Sequence, residues 1–70
     1  MNTKANQQPI ITDELKEQIL AVRDTGRTNM FMISGVQMIA YEMDLFELAL
    51  FLDDPGNRKA YLEFILNGKR

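Results

Sequence analysis

The stretch Ser34–Leu52, SGVQMIAYEMDLFELALFL, decides the fold class. Ser34 and Gln37 form an S-x-x-Q capping box, and Ile33 and Met38 occupy the two positions of a hydrophobic staple, so a helix start is expected here. Val36, Ile39, Ala40 and Met43 then recur at helical spacing. Ten residues on, the signal repeats: Asp44 and Glu47 make a D-x-x-E box, with Met43 and Leu48 at the staple positions. Two helix starts this close together predict a sharp corner with almost no loop. The helix after the corner, Leu45–Leu52, carries Leu45, Phe46, Leu48, Ala49, Leu50, Phe51 and Leu52 and is apolar nearly all round. Such a helix is either covered on most sides, as the central member of a bundle, or leaves Phe46 and Leu50 facing a partner.

On the N-terminal side, Thr12 is placed to cap a helix with Asp13 and Glu14 in its first turn and Leu15, Ile19 and Val22 on one face. Gly26 is its expected terminator. On the C-terminal side, Asp53-Asp54-Pro55-Gly56-Asn57 is turn chemistry, with Pro55 suited to a first helical position. A fourth helix follows, with Ala60, Tyr61, Phe64 and Ile65 inward and its end at Asn67-Gly68. No β-pattern of convincing length occurs. The fold class expected is all-α, a compact bundle of about four short helices with a tight helix-turn-helix-like corner. Residues 1–10 are expected to form a flexible N-terminal arm and residues 11–70 a single helical domain. Met1–Pro9 is polar and lacks the apolar run of a signal peptide, and Leu48–Leu52, the longest apolar run, is too short to cross a bilayer. The expected setting is the bacterial cytoplasm.

At 70 residues the chain lies near the lower limit for a self-sufficient core, although 46% hydrophobic and 26% charged residues give it the make-up of a folding globule. Disulfides and thiolate or imidazole metal sites are closed to it, because it has no Cys and no His. A homodimer or another protein partner is the remaining aid to stability. The same two absences remove the commonest general base and the strongest nucleophile, so a non-enzymatic role without metal or cofactor is expected.

Charge is unevenly spread. Residues 28–57 carry Glu42, Asp44, Glu47, Asp53 and Asp54 with no Lys or Arg, a net −5, whereas residues 58–70 carry a net +3. The corner fits helix-turn-helix spacing, with Ala40 at the small buried position, Asp44 at the turn, and Ile39, Leu45 and Leu50 at core positions. Yet the helix that would read a groove offers one Glu and large apolar groups, and it lies in the acidic third of the chain, where phosphate is repelled. A small regulator or nucleic-acid accessory protein would have to use Arg23, Arg27, Arg58 and Lys59 instead. Five acids over this length are too few for a DNA mimic. Met30, Met32 and Met38 suit either an adaptable binding surface or gap-filling in the core.

Arg23-Asp24-Thr25-Gly26-Arg27-Thr28-Asn29 is dense in polar groups between two apolar elements. It has one Gly and no Gly-Lys-Ser/Thr ending, so it is not a P-loop. One reading is helix termination, with Gly26 as the left-handed residue and Thr28 or Asn29 bonding local backbone. The other is a recognition edge with Arg23 and Arg27 as forks for an anion or carboxylate. The candidate partner-binding residues are Arg23, Asp24, Arg27 and Asn29 in this loop, and Phe46 and Leu50 on the apolar helix.

The run Gln18–Phe31, with Val36-Gln37, Ile39-Ala40, Phe46-Glu47-Leu48, Tyr61 and Phe64-Ile65-Leu66, resembles an uncharacterised family of short proteins from phages and prophages of Gram-positive bacteria, domain-of-unknown-function family 5049. The resemblance covers roughly Leu15–Gly68, and R-D-x-G-x-T-N-M-F is its most specific part. The chain departs from it at Met32–Gly35, where a more polar helix start is expected, and at Asp53–Asn57, where an acidic turn without Pro-Gly is expected. The resemblance implies phage origin, action in the host cytoplasm and no catalytic residues. Proteins of this kind often bind host or phage proteins, including defence and transcription machinery.

Overall fold

Thr12 opens the first helix of the computed structural model, which describes residues 10–67. Its Oγ1 accepts the Leu15 N–H at 3.1 Å, and α1 runs Asp13–Thr25 with Asp13 and Glu14 at the positive end of the dipole. Gly26 ends it in the left-handed conformation, φ 65°, donating its N–H to the Arg23 carbonyl. Three more helices follow: α2 at Ile33–Glu42, α3 at Phe46–Phe51 and α4 at Pro55–Asn67. No strand occurs among the described residues, so the protein is an all-α bundle. The expected arm over Met1–Pro9, the terminator Gly68 and the basic end Lys69-Arg70 lie outside the described residues.

The core is assembled from one stripe of each helix. Leu15, Ile19 and Val22 of α1 meet Val36, Ile39 and Ala40 of α2 and Leu48 and Ala49 of α3, while α4 contributes Ala60 and Tyr61. Leu52, just past α3, is fully buried as well. Phe64 and Ile65 pack on this core from the second half of α4, as their spacing predicts. Tyr61 is wholly enclosed. Its hydroxyl donates to the Met30 carbonyl at 2.6 Å, which ties the loop after α1 to α4, and burial pushes its ionisation well above the ordinary tyrosine range.

Both expected capping boxes are absent. α2 begins two residues before the position Ser34 would cap, with Met32 as the flanking residue and no side-chain cap. The cause lies in the loop: Asn29 Oδ1 accepts the Phe31 N–H at 2.8 Å and its carbonyl accepts the Met32 N–H, a turn that brings the chain into helical geometry by Ile33. Ser34 is then already inside the helix, and Met38 points outward, away from the staple position expected of it. The loop also crosses the first turn of α2 so closely that a Cβ on Gly35 would lie 2.5 Å from Thr28 Oγ1.

At the corner, Asp44 takes φ 61°, and Leu45 and Asp44 donate their N–H groups to the carbonyls of Ala40 and Tyr41 at 2.8 and 3.2 Å. This is the Schellman closure of a helix, with Asp44 in the left-handed position usually held by Gly. A residue held there cannot adopt the extended backbone of an N-cap, so the cap position moves to Leu45 and α3 begins at Phe46. With Leu45 at the cap position, the N–H that a local cap would serve is that of Leu48 rather than Glu47, and it donates to Gln18 Oε1 of α1 at 2.9 Å. The other end of α3 is held by Gln37 of α2, whose Nε2 donates to the Ala49 carbonyl and to Asp53 Oδ1, and by Arg58 of α4, whose Nε donates to the Leu52 carbonyl. Six residues are too few to hold a helix alone, and these three helices supply the caps that the local sequence does not.

Candidate protein-binding face

The two outer rows of α2 and α3 carry large apolar side chains that the bundle does not cover. Met38 and Tyr41 stand one turn apart on α2, Phe46 and Leu50 one turn apart on α3, and the four are between 44 and 60% exposed. The Tyr41 and Phe46 rings face each other across the corner with centroids 6.2 Å apart and planes tilted by 57°. Gln37, bonded to Ala49 and Asp53, fixes how α2 and α3 lie side by side, so the rows border one seam and meet at Tyr41 and Phe46. Leu48 and Ala49 cover the inner side of α3 and leave Phe46 and Leu50 outward. The apolar helix is therefore not covered on most sides: Phe46 and Leu50 are exposed. Their exposure also corrects the helix-turn-helix spacing, which put Leu50 in the core.

Around the patch stand Asp44 at the corner, Glu47 beside Phe46, and Asp53 past the end of α3, all exposed. Among the described residues the ion pairs are Lys16 with Asp13 and Arg27 with Glu42, so none of these three carboxylates has a cationic partner there. Desolvation by surrounding protein, together with the neighbouring Glu14 carboxylate, holds the Glu47 carboxyl above its ordinary 4.5.

The loop candidates fall into two groups. Arg27 Nη1 donates to Glu42 Oε1 at 2.8 Å, tying the loop to the last turn of α2, and its N–H donates to Thr25 Oγ1. Asn29 builds the turn into α2. These two are structural ties as well as surface residues. Arg23 and Asp24, by contrast, are exposed in the last turn of α1. The structure therefore brings Arg27 to the same end of α2 as Tyr41 and Phe46, while Asn29 lies at the opposite end. Met38 is exposed, in keeping with the surface reading of the methionines rather than the core one, whereas Tyr41 is not singled out by the sequence reading. The signal was available in the 3-residue spacing of Met38 and Tyr41 on the face opposite Val36, Ile39 and Ala40.

A family profile matches residues 11–69 of the chain. The chain belongs to the family described as Domain of unknown function (DUF5049). Membership in DUF5049 covers all four helices and the candidate face, and its description names no activity. No curated protein and no solved structure gives a significant match. No helix among the described residues of this DUF5049 chain is long and apolar enough to cross a membrane, and no group of three or more potential metal ligands comes together among them.

Proposed function

We propose that this chain is a non-enzymatic protein-binding module of phage or prophage origin, which acts in the cytoplasm of a bacterial host by engaging a host or phage protein, defence components included. The observation that carries the reading is the exposed patch of Met38, Tyr41, Phe46 and Leu50 on a backbone fixed by side-chain caps. A small chain that leaves four large apolar side chains adjacent on one face keeps a cost in solubility unless that face is covered by something. The sequence supports the same reading, since without His or Cys the usual catalytic groups are missing.

The alternative of a small regulator or nucleic-acid accessory protein has less to stand on. Two of its four cations are engaged within the fold, Arg27 with Glu42 and Arg58 with the carbonyls of Leu52 and Asp53. The test is a tagged pull-down from bacterial lysate, with and without nuclease, comparing the wild-type chain with Leu50→Lys. Recovery of one protein at near-equal yield in both nuclease conditions, and its loss with Leu50→Lys, is the expected result. Recovery of nucleic acid or its binders only without nuclease would reverse the order of the two readings.

A further inference from the structure

The patch has a chemistry as well as a shape. Its four apolar side chains lie two by two across the α2–α3 seam, and its border is anionic on the corner side at Asp44, along α3 at Glu47 and at the far end at Asp53. No Lys or Arg occurs from Thr28 to Asn57, and the arginines that flank this stretch are engaged, Arg27 by Glu42 and Arg58 by the carbonyls of Leu52 and Asp53. We infer that this face receives a cationic amphipathic helix of another protein, with apolar side chains a turn apart seated among Met38, Tyr41, Phe46 and Leu50 and with Lys or Arg flanks against Asp44, Glu47 and Asp53. The inference rests on the protein-binding reading and assigns the chemical class of the partner.

Three observations select this occupant over others. In a two-fold dimer through the patch, each copy would present the same surface to the other, and the acidic borders would meet like charge. A strand-like peptide needs a sheet edge, and none exists among the described residues. A helix laid along the seam needs anchors at helical spacing, which the one-turn separations Met38 to Tyr41 and Phe46 to Leu50 match. The polarizable thioether of Met38 beside the rigid Tyr41 and Phe46 rings accepts anchors of varied shape.

The test uses three labelled synthetic probes of about 18 residues, long enough for several helical turns: a Leu/Lys amphipathic helix, its Leu/Glu counterpart, and a Lys/Ser peptide with the charge of the first and no apolar face. Binding to the full chain is read by fluorescence anisotropy and mapped by amide shifts. The expected result is that the Leu/Lys helix binds with shifts centred on Met38, Tyr41, Phe46 and Leu50, and weakens as salt is raised. Lys/Ser should bind at least about tenfold more weakly, and Glu47→Lys and Leu50→Lys should each weaken the Leu/Lys probe about tenfold while both variants keep their helical signal and melt no lower than the wild type. Equal binding of Leu/Glu or of Lys/Ser, or shifts that map elsewhere, would overturn the inference. So would a dimer in sedimentation that Leu50→Lys dissociates, since a second copy would then occupy the face. If the probe fails while the pull-down still yields a protein lost with Leu50→Lys, the cationic helix is wrong and the protein-binding reading stands. Failure of both removes both.

Discussion

Asp44 holds φ at 61° with a side chain that makes no hydrogen bond to offset it among the described residues. For an L-residue other than Gly this conformation costs roughly 1–2 kcal/mol, somewhat less for Asp than for most. The dipole terms at this position oppose each other, because Asp44 follows the negative end of α2 and precedes the positive end of α3. Backbone strain therefore decides the sign. Asp44→Gly should stabilise the fold by about 1 kcal/mol, less the entropy a glycine adds to the unfolded chain, and Asp44→Val should destabilise it; thermal unfolding of the two variants checks both. Glu47 supplies a second residue-scale expectation. Its carboxyl binds a proton more tightly when folded than its ordinary value of 4.5 would give, so its favourable contribution is present below that pH and is lost as pH rises through the folded value. Glu47→Gln should therefore melt above the wild type at neutral pH, with the gap closing as pH falls toward 4.5. A gap that does not vary with pH would refute this.

Helix ends separate what was legible in the sequence from what was not. The start of α1 was readable because Thr12 and the Leu15 N–H it serves are three residues apart, and its end because Gly26 is the one residue there that reaches the left-handed region without strain. The order of four helices and the buried stripes were readable for the same reason, since both depend on local spacing. The start of α3 was not, because its cap comes from Gln18, thirty residues away, and no local rule refers to such a partner. The S-x-x-Q and D-x-x-E patterns misled because a turn at Asn29 and a Schellman closure at Asp44 had already fixed the backbone they needed. For the candidate face, the exposure of Phe46 and Leu50 was legible as one of two readings of an apolar surplus, and that of Met38 as one of two readings of the methionines, but Tyr41 was passed over because only its buried neighbours on α2 were weighed. Three alanine variants test the assignment of caps. Thr12→Ala and Gln18→Ala should each cost about 1 kcal/mol in chemical unfolding, while Ser34→Ala should stay within about 0.5 kcal/mol of the wild type. A Ser34→Ala cost as large as that of Thr12→Ala would restore the capping box.

Across the whole molecule, negative charge gathers on the surface formed by α2, α3 and the turn after them, where Asp44, Glu47, Asp53 and Asp54 stand without ion-pair partners among the described residues. Mutual repulsion there opposes folding, and the single exposed link of Arg27 to Glu42 offsets little of it. Raising ionic strength from very low values to about 0.15 M, where the screening length is about 8 Å, should raise the melting temperature; a fall would mean that the ion pairs outweigh the repulsion. The supports of α3 have a consequence for any attempt to divide the chain. Gln18 lies upstream of the corner and Arg58 downstream of it, so a synthetic fragment of residues 33–52 contains the whole corner and both of its helices but neither outside support. Such a fragment should be a random coil by circular dichroism. Cutting the full chain between Gly26 and Asn29 and mixing the two pieces should restore helical signal that neither piece has alone, because the corner is a property of the assembled chain and not of the peptide that spans it.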